Sequence, residues 1–219
     1  PAGLPDRAVL EASGFTGARG TTLLVPGSPL QVAVGVGDPA SLSSADIRDI
    51  AAAFALAAAG QAHLALRLDG LAGTDSEAAP ADWIAAAVEG IVLARYEFTA
   101  LRGVVGTPIA EITLVVAPDQ TAHATAAAKR GAVLARATCI SRDLANCPPA
   151  HLTAERFGEV AVRLGAEAGL TVEIFDRDAL VELRCGGILG VNGGSIDEPR
   201  MIKLTYAPDA PTGALAWVG

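Results

Sequence analysis

Lysine occurs only twice in these 219 residues, at Lys129 and Lys203, methionine once, and aromatic residues make up 4% of the chain. The other 14 of the 16 basic residues are arginine, and alanine is abundant, a bias that reflects coding more than chemistry. The net charge is −8 with no basic stripe, which argues against nucleic acid and against an anionic membrane surface, because both need clustered cations. Only three cysteines are present, Cys139, Cys147 and Cys185, with no CxxC spacing, so neither a disulfide framework nor a zinc knuckle is expected. No apolar run approaches the roughly 18 residues that span a bilayer; the longest, Ile50 to Ala59, reads as a buried helix. No basic segment followed by an apolar one opens the chain, so no secretory signal is read there. The HExxH, GxSxG and GxxxxGK[ST] patterns are all missing. What remains is 51% hydrophobic and 18% charged, enough to build a core and too apolar for disorder.

Strand and helix signals alternate. Thr21 to Val25 and Val32 to Val36 are short β-branched runs bounded by Pro and Gly and read as strands. Ser43 stands three residues before Asp46, the spacing of a capping box, and Gly60 is a natural stop. His63 to Leu68 reads as a strand and Gly70 to Ala79 as a loop of small residues. Pro80 sits at a first helical position, with Trp83, Ile84, Ala87, Val88 and Ile91 at helical spacing. Glu111 to Val116 is the next strand. A long helix from about Asp119, its candidate cap, to Cys147 presents Val133, Leu134, Ala137, Ile140 and Leu144 on one face, and Pro148-Pro149 ends it. Its length suits a connector between two domains. Beyond it, Thr153 to Gly169 reads as an amphipathic helix with Phe157, Val160, Ala161 and Leu164 on one face. Thr171 to Phe175 reads as a strand, Asp176 caps a short helix, and Ile188 to Asn192, Met201 to Tyr206 and Leu215 to Val218 are further strand candidates. The alternation indicates an α/β protein.

Residues with chemistry are scattered. His63, His123 and His151 pair with nothing by spacing and read as surface or satisfied core residues. Asp176 and Asp178 are explained by helix capping, and Asp197 and Glu198, before Pro199, read as a solvated pair. Gly35-Val36-Gly37 follows a strand, as a phosphate-cradling turn does, yet Asp38-Pro39 breaks the GxGxxG spacing. Gly186, Gly187, Gly190, Gly193 and Gly194 form a richer cluster, read as close packing because no Lys or Arg completes a phosphate site.

One stretch resembles a known family. Ala135-Arg136 through Arg142-Asp143-Leu144 to Asn146-Cys147-Pro148-Pro149 is similar to the "ARdLvNtPpn" segment of the leucyl (cytosol) aminopeptidases. Gly186-Gly187-Ile188-Leu189-Gly190-Val191-Asn192-Gly193-Gly194-Ser195 resembles their "GmGallaVgqGS" stretch, followed by Glu198-Pro199-Arg200 and Leu204-Thr205-Tyr206. Gly14-Phe15-Thr16-Gly17 and Glu89-Gly90 through Tyr96-Glu97-Phe98 resemble their N-terminal domain. Cys147 and Ala150 depart from the commoner Thr and Asn, in a loop with no catalytic role. The resemblance implies an α/β fold: a non-catalytic, macro-domain-like α/β domain over residues 1–135, joined by a long helix to the first part of an α/β metallopeptidase domain over 136–219. It implies an enzyme that hydrolyses N-terminal residues from peptides with a free amine. It also implies two divalent metal ions, Mn or Zn, a cytoplasmic location and a homo-hexamer. Two metals lower the pKa of a bridging water and hold the tetrahedral oxyanion. The family's ligands begin with a "GKG…FDsGG" motif, and the residue expected after Gly219 is the first metal-binding Lys. No catalytic, metal-binding or cofactor-binding residue is therefore assigned here, and the 219 residues alone are expected to be inactive. Pro1 in place of Met and a last strand with nothing to follow it fit a piece of a longer chain.

Two other classes compete. The macro-domain likeness suggests a nucleotide or ADP-ribose binding module in the first 135 residues, or a regulatory interaction domain. The lack of a complete phosphate-cradling loop counts against it. A regulatory role on DNA, found in some bacterial relatives, is disfavoured by the charge.

Overall fold

A computed structural model describes residues 5–71, 80–103 and 105–219. The chain divides into two compact units, Pro1–Asp143 and Leu144–Gly219. Most of the expected loop from Gly70 to Ala79 lies outside the described residues, as does the side chain of the candidate cap Asp119.

Unit 1 begins with a short helix, α1 (Arg7–Ala12), and an antiparallel hairpin, β1 (Thr22–Val25) with β2 (Gln31–Val34), in which Thr22 faces Val34. α2 (Ser44–Ala57) starts at the expected capping box: the Ser43 hydroxyl accepts from the Asp46 N–H, and the Asp46 carboxylate accepts from the Ser43 N–H. β3 (His63–Arg67) alternates Leu64 and Leu66 inward with exposed neighbours, as a half-buried strand should. α3 (Pro80–Ala94) then leads to β4 (Glu111–Val115), which runs parallel to β3, with His63 opposite Glu111. Parallel pairing needs a crossover, and α3 supplies it.

The core of unit 1 is where α2, β3 and α3 meet. Ile47, Ile50 and Phe54 of α2 pack with Leu64 and Leu66 of β3 and with Ile84 and Ile91 of α3. These side chains are almost fully withdrawn from water, and each stabilises the fold by about 1.5–3 kcal/mol relative to exposure. At the edge of this contact the Arg48 guanidinium pairs with Glu89 at 2.9 Å.

α4 (Thr121–Asn146) is the expected long helix, stopped at Pro148. Its buried face is not the expected one. Val133 and Leu134 are exposed, at 67% and 44%, and the residues withdrawn from water are Ala127, Gly131 and Ala135. Those three recur every four residues and are small. They let the helix backbone approach α3 so closely that a Cβ on Gly131 would overlap the Ala85 carbonyl. Close backbone approach outcompetes the larger apolar residues for the buried side.

Unit 2 is built on α5 (Ala154–Ala168), capped by Thr153 and ended by Gly169 in the left-handed conformation, as its sequence requires. β5 (Thr171–Phe175) pairs antiparallel with β6 (Met201–Thr205). α6 (Arg177–Glu182) starts at Asp176, whose carboxylate accepts from the Ala179 N–H at 3.0 Å, and buries Leu180 completely. Two strand expectations fail. Ile188 to Asn192 belongs to a helix, α7 (Gly186–Asn192), because a run of apolar and glycine residues without strict alternation has no fixed face to pair, and the Asn192 side chain is tied into the turn that follows. Leu215 to Val218 forms no strand and stays exposed, since no partner strand among the described residues meets its backbone groups.

Candidate functional site

The histidines stay apart. His63 lies 3.5 Å from Glu111 across the β3–β4 ladder and is 74% exposed, while His123 and His151 are exposed on α4 and in the turn after Pro148. Asp176 is spent on its cap and Asp178 lies in the first turn of the same helix. The expected solvated pair, Asp197 and Glu198, is exposed; at the surface the Arg177 Nε–H donates to the Glu198 carboxylate at 2.6 Å, and Arg177 also donates to the Asn192 amide oxygen. The three cysteines are free thiols, and burial pushes the Cys139 thiol pKa up. Among the described residues no group of three His, Cys, Asp or Glu is placed to hold a metal ion.

The glycine signals resolve in opposite ways. A Cβ on Gly35 would overlap the Ala18 carbonyl, so glycine there is demanded by close approach of the backbone. The amides that would have cradled a phosphate are already used: Gly35 N–H donates to Thr21 O at 2.8 Å and Gly37 N–H to Gly17 O at 3.0 Å. The later cluster departs from the expected close packing except at Gly193, where a Cβ would lie 3.2 Å from the Gly190 carbonyl oxygen. An added Cβ on Gly186, Gly187, Gly190 or Gly194 meets nothing, so these positions are open and packing does not require glycine.

Sequence reasoning did not find a cleft of about 1000 Å³ in unit 1 between α3, β4 and α4. Ile84, Val88 and Val92 of α3, Ile112 and Leu114 of β4, and Ala124 and Ala128 of α4 form its apolar walls. Arg95 lines it but is fully engaged, donating to the carbonyls of Ala55, Ala58, Gln61 and Thr107, where it closes the end of α2. Beside it, Tyr96 donates to Asp143 at 2.9 Å and Arg142 stacks 5.4 Å from the Tyr96 ring centre. Tyr96, Arg142 and Asp143, from two of the segments singled out by resemblance, thus meet in unit 1. Smaller recesses of unit 2 are an apolar one between α5 and β6 and a shallow one beside α7.

The model of the cytosol aminopeptidase family's N-terminal domain matches residues 7–103, and that of the same family's catalytic domain matches residues 139–219. A probable cytosol aminopeptidase of Rhodococcus erythropolis is 36% identical over 209 residues, covering 90% of this chain and 39% of the relative. The bottromycin maturation enzyme BotP, solved in complex with Mn, superposes with a TM-score of 0.82 at 31% identity, over 95% of this chain and 44% of that one. A tomato leucine aminopeptidase mutant shares the fold, with a TM-score of 0.78 at 21% identity, over 93% of this chain and 41% of that one. The chain spans less than half the length of these relatives. No helix among the described residues is long and apolar enough to cross a membrane.

Proposed function

Because the chain belongs to the cytosol aminopeptidase family, we propose that it is the N-terminal portion of a metal-dependent, leucyl-type aminopeptidase that removes N-terminal residues from peptides. The observation that carries this is the match of both family domains, in order, along one chain. In this reading residues 1–135 are the non-catalytic domain and 136–219 open the catalytic one. Bound divalent metal, Mn or Zn, would supply the activated water and the oxyanion clamp for amide hydrolysis. The described side chains do not fit such a site, so no step is assigned to them. The donors belong to the part of the family's length that this chain does not span. Work in the cytoplasm as a homo-hexamer is part of the same reading and rests on the resemblance alone.

Leucine amide hydrolysis with added Mn²⁺ or Zn²⁺ tests it. The 219-residue polypeptide should give no metal-stimulated turnover, and a polypeptide extended to the relatives' length should give it. An extended polypeptide that leaves leucine amide intact with either metal would overturn the aminopeptidase assignment. Turnover by the 219 residues alone would overturn only the placement of the metal site.

A further inference from the structure

β4 pairs with β3 and with no other strand among the described residues, so its second edge keeps backbone N–H and C=O groups open for one more strand. That strand forms part of the unit 1 cleft, together with the apolar walls from α3 and α4. The five residues Glu111–Val115 offer about 17 Å of edge. A small apolar molecule would leave that edge unused, whereas an extended chain would use the edge and the walls together.

The charges lining the cleft say what that chain should carry. Arg95 is held by four carbonyls, Glu97 accepts from the Gly106 N–H at 3.0 Å, and Glu111 faces His63. Lys129 is the remaining charged side chain of the lining; it is exposed and faces no acid among the described residues. It stands on α4 beside Ala128 and Ala132, the wall that side chains of an added strand would meet.

We infer that the cleft docks an extended peptide as an additional strand on β4, with apolar side chains at alternate positions against α3 and α4 and an acidic side chain among them on the Lys129 ammonium. A group that reaches across to α4 projects from the strand as a side chain does, so the anion is a Glu or Asp side chain. This binding is independent of the aminopeptidase reading, because it needs neither metal nor a free amine.

Calorimetric titration of the 219-residue chain with peptides blocked at both ends tests it, since blocked peptides are not aminopeptidase substrates. The probes are acetyl-Val-Ser-Glu-Ser-Val-amide, its Glu-to-Gln analogue, its analogue N-methylated at all five residues, and the Gln peptide with a free C-terminal carboxylate. The Glu peptide should bind about tenfold more tightly than the Gln peptide, the usual size of one charge-assisted hydrogen bond. The N-methylated analogue, which has no residue N–H left to donate to the β4 edge in either register, should not bind. Lys129→Ala should erase the Glu-over-Gln preference and leave the Gln peptide unchanged. Ala132→Phe, at an exposed wall position, should weaken both by about tenfold or more. Absence of binding at millimolar peptide, equal binding of the N-methylated analogue, or an unchanged preference in Lys129→Ala would overturn the inference. Recovery of full affinity by the free carboxylate in the Gln peptide would overturn the side-chain assignment.

Discussion

At Gly131 two effects of one methyl group oppose each other, and their sizes decide the outcome. Alanine is the better helix former by about 1 kcal/mol. Its Cβ would overlap the Ala85 carbonyl, a backbone atom that cannot rotate away, and overpacking of this kind costs about 1–3 kcal/mol. Gly131→Ala should therefore be destabilising, and urea denaturation should show a lower midpoint with an unchanged slope. A midpoint at or above that of the parent would mean that α4 is not seated on α3 through this residue. The same logic separates Gly35, where glycine is required by contact, from Gly186 and Gly187, where it is not. Glycines of both kinds look alike in a sequence, because what distinguishes them is an atom contributed from elsewhere in the chain.

Among the elements, α2 has the start most fully specified by its own residues. Ser43→Ala removes the acceptor for the Asp46 N–H and should cost about 1 kcal/mol in thermal or chemical denaturation. The Ser43 hydroxyl and N–H, and then Arg19, hold the Asp46 carboxyl below the usual carboxylate range. A depressed folded pKa means that this contribution is present above the unfolded value, near 4, and is lost as pH falls through the folded value. The stability difference between the parent and Asp46→Asn should accordingly be constant near neutrality and shrink below about pH 4. A difference independent of pH down to 2 would show that the capping box does not depend on the carboxylate charge. α4 behaves differently. Its existence and stop are local, but its buried face is chosen by α3, and Ala127, Gly131 and Ala135 win over Val133 and Leu134.

For the whole molecule, the apolar residues left in water are informative. Ile196, Trp217 and Val218 are exposed at 99%, 89% and 98%, and Leu215 to Val218 has no strand partner among the described residues. Within the 219 residues that segment should add little to stability. Deleting residues 209–219 should shift the midpoint of thermal unfolding by less than about 2 °C. A larger loss would show that the segment packs on the chain in a way that its exposure denies. In the aminopeptidase reading the same segment pairs within the longer catalytic domain, so it should become protected from proteolysis in a polypeptide of the relatives' length.

The amino-acid sequence by itself determined what depends on neighbours in the chain. Ser43 and Asp46, Thr153 and Gly169, and Asp176 mark helix ends through bonds spanning a few residues, Pro148-Pro149 marks one by lacking a donor, and each stands where expected. The alternation from His63 onward sets the inward face of β3, and the segments around Arg142 and Ser195 point to the family. Tertiary structure alone decided the rest. α7 replaced a strand because no ladder offered itself to Ile188–Asn192, and the buried stripe of α4 was set by how closely two backbones approach. The cleft beside Lys129 exists because α3, β4 and α4, segments far apart in sequence, come together in unit 1. Hydrogen bonds between near neighbours can be read along a chain, whereas a surface shared by distant segments takes shape only once they are packed.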